Sequence, residues 1–170
     1  VVEAEFFITK DNLKKIKELI EAGAKITSLG PKDETLLHMA VSLNDAELVK
    51  ICIEAGIDAD DTNIYLQTPL HIACINESHK MVKLLLEFGA EPNVVDDDGW
   101  SPLHEACYVK NIKCMRLLLD YEAIPDIQDP FGMTPLHIAY NDSKCIDLLI
   151  KEGANINAQG CSYDTPLHMA

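Results

Sequence analysis

At 170 residues, with 48% hydrophobic residues and a mean hydropathy of +0.01, the chain has the size and composition of one soluble folded domain. It has no long uncharged apolar run able to span a bilayer, and Val1-Val2-Glu3-Ala4-Glu5 lacks the basic flank and apolar stretch of a secretory leader. A net charge of −14, from 28 acidic and 14 basic residues, disfavours nucleic acid and anionic membrane surfaces and points to a basic partner.

Along the chain, Leu13, Ile16, Leu19 and Ile20 fall at helical spacing and predict the second helix of a degenerate first unit, residues 1–27. Thr35-Leu36-Leu37-His38-Met39-Ala40 then opens a fuller unit at about 28–60. The same run returns as Thr68-Pro69-Leu70-His71-Ile72-Ala73 in 61–93 and as Ser101-Pro102-Leu103-His104-Glu105-Ala106 in 94–126. It returns again as Thr134-Pro135-Leu136-His137-Ile138-Ala139 in 127–157 and as Thr165-Pro166-Leu167-His168-Met169-Ala170 in a partial sixth unit, 158–170. The intervals are 33, 33, 33 and 31 residues. A second landmark keeps step at Gly23-Ala24, Gly56-Ile57, Gly89-Ala90, Glu122-Ala123 and Gly153-Ala154. Two landmarks in phase at this period define a repeat protein.

Each unit carries the signals of two helices. Thr68 is a natural N-cap, and Pro69 suits the first helical position, where a missing N–H costs nothing. Met81, Val82, Leu84, Leu85 and Leu86 form the apolar stripe of a second helix, with Lys80, Lys83 and Glu87 outside it. Gly89 supplies a left-handed end. Two departures stand out. The 31-residue interval predicts a shortened turn after Tyr140, and Glu122 replaces glycine where a left-handed backbone strains a side chain, so that unit is expected to be less stable. With no initiator Met and an uncovered sixth unit, the chain is expected to be part of a longer one carrying more repeats or a cap.

On the T-P-L-H-x-A helix start and its period, essentially the whole chain resembles the ankyrin-repeat family. The resemblance implies an all-α solenoid of stacked helix–turn–helix units with hairpin-like turns, forming a single domain over 1–170. It also implies that His38, His71, His104, His137 and His168 tie neighbouring turns together. A metal reading of these five requires convergence on one centre at about 2 Å, whereas stacked units hold equivalent residues about 8–10 Å apart. His79 is expected to be exposed. The six cysteines form no CxxC pair, and a cytosolic or nuclear protein with reduced core thiols is expected, Cys161 in a turn being the accessible one. No nucleophile elbow, phosphate loop or zinc-protease motif occurs, and Asp96-Asp97-Asp98-Gly99 lacks the alternating ligands of a calcium loop. No enzyme activity, metal or cofactor is expected.

In the family the turn tips and first helices line a concave recognition surface. Here that places Tyr65, Asp96, Asp98, Trp100, Glu105, Tyr108, Phe131 and Met133 as partner-binding residues, aromatic anchors among acids. Packing of Trp100 flat on a neighbouring turn is the alternative. The run Gly99-Trp100-Ser101-Pro102-Leu103-His104-Glu105-Ala106-Cys107 is also similar to that of ankyrin domains that read the unmodified histone H4 tail. Tyr108 and Gln67 depart from that pattern, and many ankyrin proteins, SOCS-box adaptors among them, share the run. The expected function is a monomeric, non-catalytic scaffold or adaptor that grips a basic or extended protein segment. A histone-tail reader, or the targeting domain of a larger enzyme, ubiquitin-ligase adaptor or channel, are the alternatives.

Overall fold

Helices alternate in pairs along the chain, and capping chemistry sets where each begins. A computed structural model describes residues 13–21 and 31–169. The Gly23-Ala24 landmark, the start of the first unit and Ala170 lie outside the described residues. Helix α1 spans Leu13–Glu21. The pairs that follow are α2 (Leu36–Ser42) with α3 (Ala46–Glu54), α4 (Pro69–Ile75) with α5 (His79–Glu87), α6 (Pro102–Tyr108) with α7 (Ile112–Asp120), and α8 (Pro135–Ile138) with α9 (Ser143–Lys151). A short α10, Pro166–Met169, opens the next. The described residues contain no strand.

Each first helix starts at an extended Thr or Ser, with proline next in α4, α6 and α8. Each second helix starts at Asp45, Ser78, Asn111 or Asp142, whose side-chain oxygen accepts from N–H groups of the first turn. Gly56, Gly89 and Gly153 end second helices at φ 87°, 87° and 89°. Glu122 does so at φ 66°, the left-handed conformation expected of it.

The two-residue deletion reaches further than the turn. α8 has four residues where α4 and α6 have seven, so the last turn of the first helix goes as well. Asn44, Glu77 and Lys110 link their helices at φ 55°, 54° and 56°, and the short unit has no such residue at positive φ.

First helices stack in the order α2, α4, α6, α8, α10, while α1 packs on α3, α5 on α7 and α7 on α9. Equivalent residues therefore meet in layers. Leu37, Leu70, Leu103 and Leu136 form one buried row, and Ala40, Ala73, Ala106 and Ala139 let the helices approach beside it. Cys52, Leu85, Leu118 and Leu149 form another row within the second helices, so Cys52 occupies a leucine place. Burying each leucine contributes about 1.5–3 kcal/mol, and since no pair closes its own apolar face, that gain depends on neighbours. Lys17 ties α1 to the start of α3 through Asp45 at 3.2 Å and through Glu47.

Candidate functional site

Four histidines hold the turns that present the candidate face. The backbone N–H of Thr68 donates to His71 Nδ1 at 3.1 Å, and an N–H can only donate, so the neutral ring carries its proton on Nε2. Nε2 then donates to the Trp100 carbonyl of the next turn at 3.0 Å. The same bridge runs from His38 to Gln67 (2.9 Å), from His104 to Met133 (3.2 Å) and from His137 to Asp164 (3.2 Å). Burial pushes the His71 imidazole down to about 4, reinforced by His104 and His38, although its bond to the Trp100 carbonyl opposes the shift. Burial likewise lowers His38 and His104. Both ring nitrogens of these four side chains are thus engaged, and no group of three or more ligating side chains among the described residues could hold a metal. His79 is exposed.

The turns themselves are organised by buried side chains at one equivalent position. Asp96 is 6% exposed, and its Oδ1 accepts from the N–H groups of Asp98 (3.1 Å) and Trp100 (2.8 Å). Asp129 accepts from Phe131 and Met133, both at 2.8 Å, and Asn63 from Tyr65 and Gln67. Among the expected partner-binding residues, then, Asp96 is turned inward to build the tip. Burial raises its carboxyl above the usual range, with Asp98 and Asp97 adding to the rise against its backbone bonds.

The remaining expected residues divide by exposure. Trp100 is half-buried: its indole stacks on the His104 ring at 5.9 Å and 25°, and meets Tyr108 edge-on at 5.7 Å and 63°. Both ring contacts are with α6 of its own unit. Tyr108 and Phe131 are 66% and 64% exposed, while Met133 is half-buried and lends its carbonyl to His104. Tyr65 already carries a cation, because the Lys32 ammonium lies 5.3 Å above its ring centroid.

Glu105 projects from α6 half-buried, and burial pushes its carboxyl up to about 7, aided by the negative charges of Asp96 and Asp98. No Lys, Arg or His among the described residues forms an ion pair with it. Its charged form is therefore disfavoured in the fold.

Sequence reasoning did not single out Ile64 and Leu66, which flank Tyr65 and are 52% and 50% exposed. The available signal was the apolar triplet itself, with Leu66 at φ 54° where the next two tips have Gly99 and Gly132. Cys161 is exposed and the other five thiols are buried.

Stacked helix pairs, capped by Thr or Ser and cross-tied by a recurring histidine, define a helical repeat protein. A family model described as ankyrin repeats (3 copies) matches residues 6–96 and 80–160, and the chain belongs to the ankyrin-repeat family. The comparison with curated proteins found no match. Ankyrin repeats are generally protein–protein interaction modules and typically non-catalytic. No helix among the described residues is long and apolar enough to cross a membrane.

Proposed function

We propose that the chain is a scaffold or adaptor that grips a segment of another protein on its concave face, with the site centred on α6 and the turn before it. The observation that carries this is Glu105: a half-buried carboxylate that feels the charge of Asp98, unpaired among the described residues, on α6 three residues before exposed Tyr108, whose ring meets Trp100. A partner Lys or Arg placed there neutralises a charge that burial disfavours and lies against aromatic rings. Such a site favours a basic segment over a neutral one by relieving a cost already present in the free protein. Histone-tail reading is one special case. It draws on the same Glu105 and Trp100, which match that run, while Asp96, which matches an acid before its Trp, has its Oδ1 bound to two backbone N–H groups here.

Affinity capture from cell extract, comparing the unaltered chain with Tyr108→Ala, tests the reading. Tyr108 is exposed enough that its loss should leave thermal unfolding nearly unchanged. Captured protein should fall sharply with Tyr108→Ala. Undiminished capture by this variant and by Glu105→Gln would place recognition elsewhere on the molecule. Trp100→Ala is the poorer probe, because removing the indole uncovers the His104 ring.

A further inference from the structure

The turn tips form a row of their own, one step outward from α6. Three residues before each capping Thr or Ser stand Lys32, Tyr65, Asp98, Phe131 and Ser162, all at one position of the repeat. Backbone bonds fix the register of this row. The Ile64 N–H donates to the Lys32 carbonyl at 3.0 Å, Asp97 N–H to Tyr65 at 3.0 Å, and Cys161 N–H to Phe131 at 2.7 Å. At the remaining seam Pro130 has no N–H to give, and its ring packs against Gly99 instead.

Three features of the row point outward. First, Lys32 reaches the Tyr65 ring, which shows that side chains of adjacent tips lie within reach of one another and that a cation settles on this row. Second, the next step is Asp98, exposed and without an ion-pair partner among the described residues, standing between the aromatics Tyr65 and Phe131. Third, Leu66 and Ile64 widen the apolar surface around Tyr65, and Leu66 holds a left-handed backbone to do so.

We infer that the tip row docks an extended partner segment in which a basic residue on Asp98 is flanked by apolar residues on Phe131 and on the Tyr65–Leu66 knuckle. This rests on the interaction-module reading and specifies its partner. The spacing follows from the repeat. Adjacent units are about 10 Å apart, and an extended chain advances about 3.3 Å per residue, so the apolar residues stand about three positions to either side of the basic one. An acidic tip between two apolar tips complements that pattern and repels its charge-reversed counterpart. Nucleic acid meets the same acidic tip within a chain of net charge −14 and is disfavoured.

Fluorescence anisotropy with labelled peptides tests the inference. The parent peptide carries Leu-Ser-Thr-Arg-Ser-Thr-Leu; one control replaces Arg by Glu, and another moves both Leu residues next to Arg. The parent should bind, and each control should bind about tenfold more weakly or worse. Asp98→Asn should abolish the preference for Arg over Glu, and Phe131→Ser should weaken the parent while both variants keep their thermal unfolding. Equal binding of parent and controls, indifference to Asp98→Asn, or no binding of any peptide overturns the inference. If capture from extract still depends on Tyr108 in that event, the interaction-module reading stands without it. If it does not, both fall.

Discussion

Replacing Glu105 by Gln keeps shape and hydrogen-bonding capacity while removing a charge that the fold disfavours. The carboxyl rises from 4.5 to about 7 on folding. At about 1.4 kcal/mol per pH unit this sets a ceiling of about 3 kcal/mol on the cost of ionising it in the folded state. The side chain is only half-buried, so solvent screening reduces that to about 1 kcal/mol. Below pH 4.5 the group is protonated whether folded or unfolded, and ionisation costs nothing. The cost grows as pH rises from 4.5 and is complete above 7. Glu105→Gln should therefore be indistinguishable from the unaltered chain near pH 4.5 and more stable at pH 8.5, with a thermal midpoint about 2–4 °C higher. Thermal unfolding by circular dichroism at the two pH values measures this. A gain of equal size at both, or none at pH 8.5, would refute the assignment of Glu105 as a buried, uncompensated charge. The same substitution should weaken partner capture, a trade of stability against function.

Histidine linkage runs the other way. The unfolded His71 protonates below 6.5 while the folded ring stays neutral to about 4, so its contribution is intact above pH 6.5 and is lost as pH falls, by about 3 kcal/mol at pH 4. Urea unfolding in the Glu105→Gln background should show the midpoint falling between pH 7 and 5; a rising midpoint would contradict the buried neutral ring. Gly99→Ala places a Cβ 2.4 Å from Pro130 Cδ at a φ of +80°, and should cost about 2 kcal/mol in denaturant unfolding. Pro130→Ala should recover part of the loss, and a neutral Gly99→Ala would show that the seam between these tips is loose. Glu122→Gly should instead stabilise by about 0.5–1 kcal/mol, because it removes the left-handed strain at φ 66°, and any loss in the same assay would refute that strain. Brief alkylation of the native protein should modify Cys161 alone by mass spectrometry, and labelling of a buried thiol would mean that the stack opens locally.

The helix pairs and the left-handed Glu122 were legible because each follows from a short-range rule repeated in register, whereas the histidine bridges, which join residues in successive turns, were implied by the family resemblance. A capping Thr, a proline at the next position and a glycine at the far end act within a few residues, and the period carries them along the chain. What could not be read was which polar and aromatic groups the turns would use internally. Asp96 and Asp98 are chemically identical and two residues apart, yet one faces the turn's backbone N–H groups and the other solvent. Trp100 similarly belongs to its own helix through His104, a contact decided by side-chain rotamers. The two-residue deletion was visible as an interval, but whether helix or turn absorbs it depends on where α9 must pack. Ile64 and Leu66 escaped notice because a turn residue is read by the conformation it permits, and a leucine at φ 54° breaks that rule.

The central claim is that recognition occurs on the face of first helices and tips. A photo-crosslinking residue at position 108, on the exposed surface of α6, tests it against one at position 113, on the exposed surface of α7 in the same helix pair. With both proteins folded and incubated in the same extract, the residue at 108 should join the chain to a partner protein and that at 113 should not. Equal adducts from both positions, or adducts from 113 alone, would contradict the account.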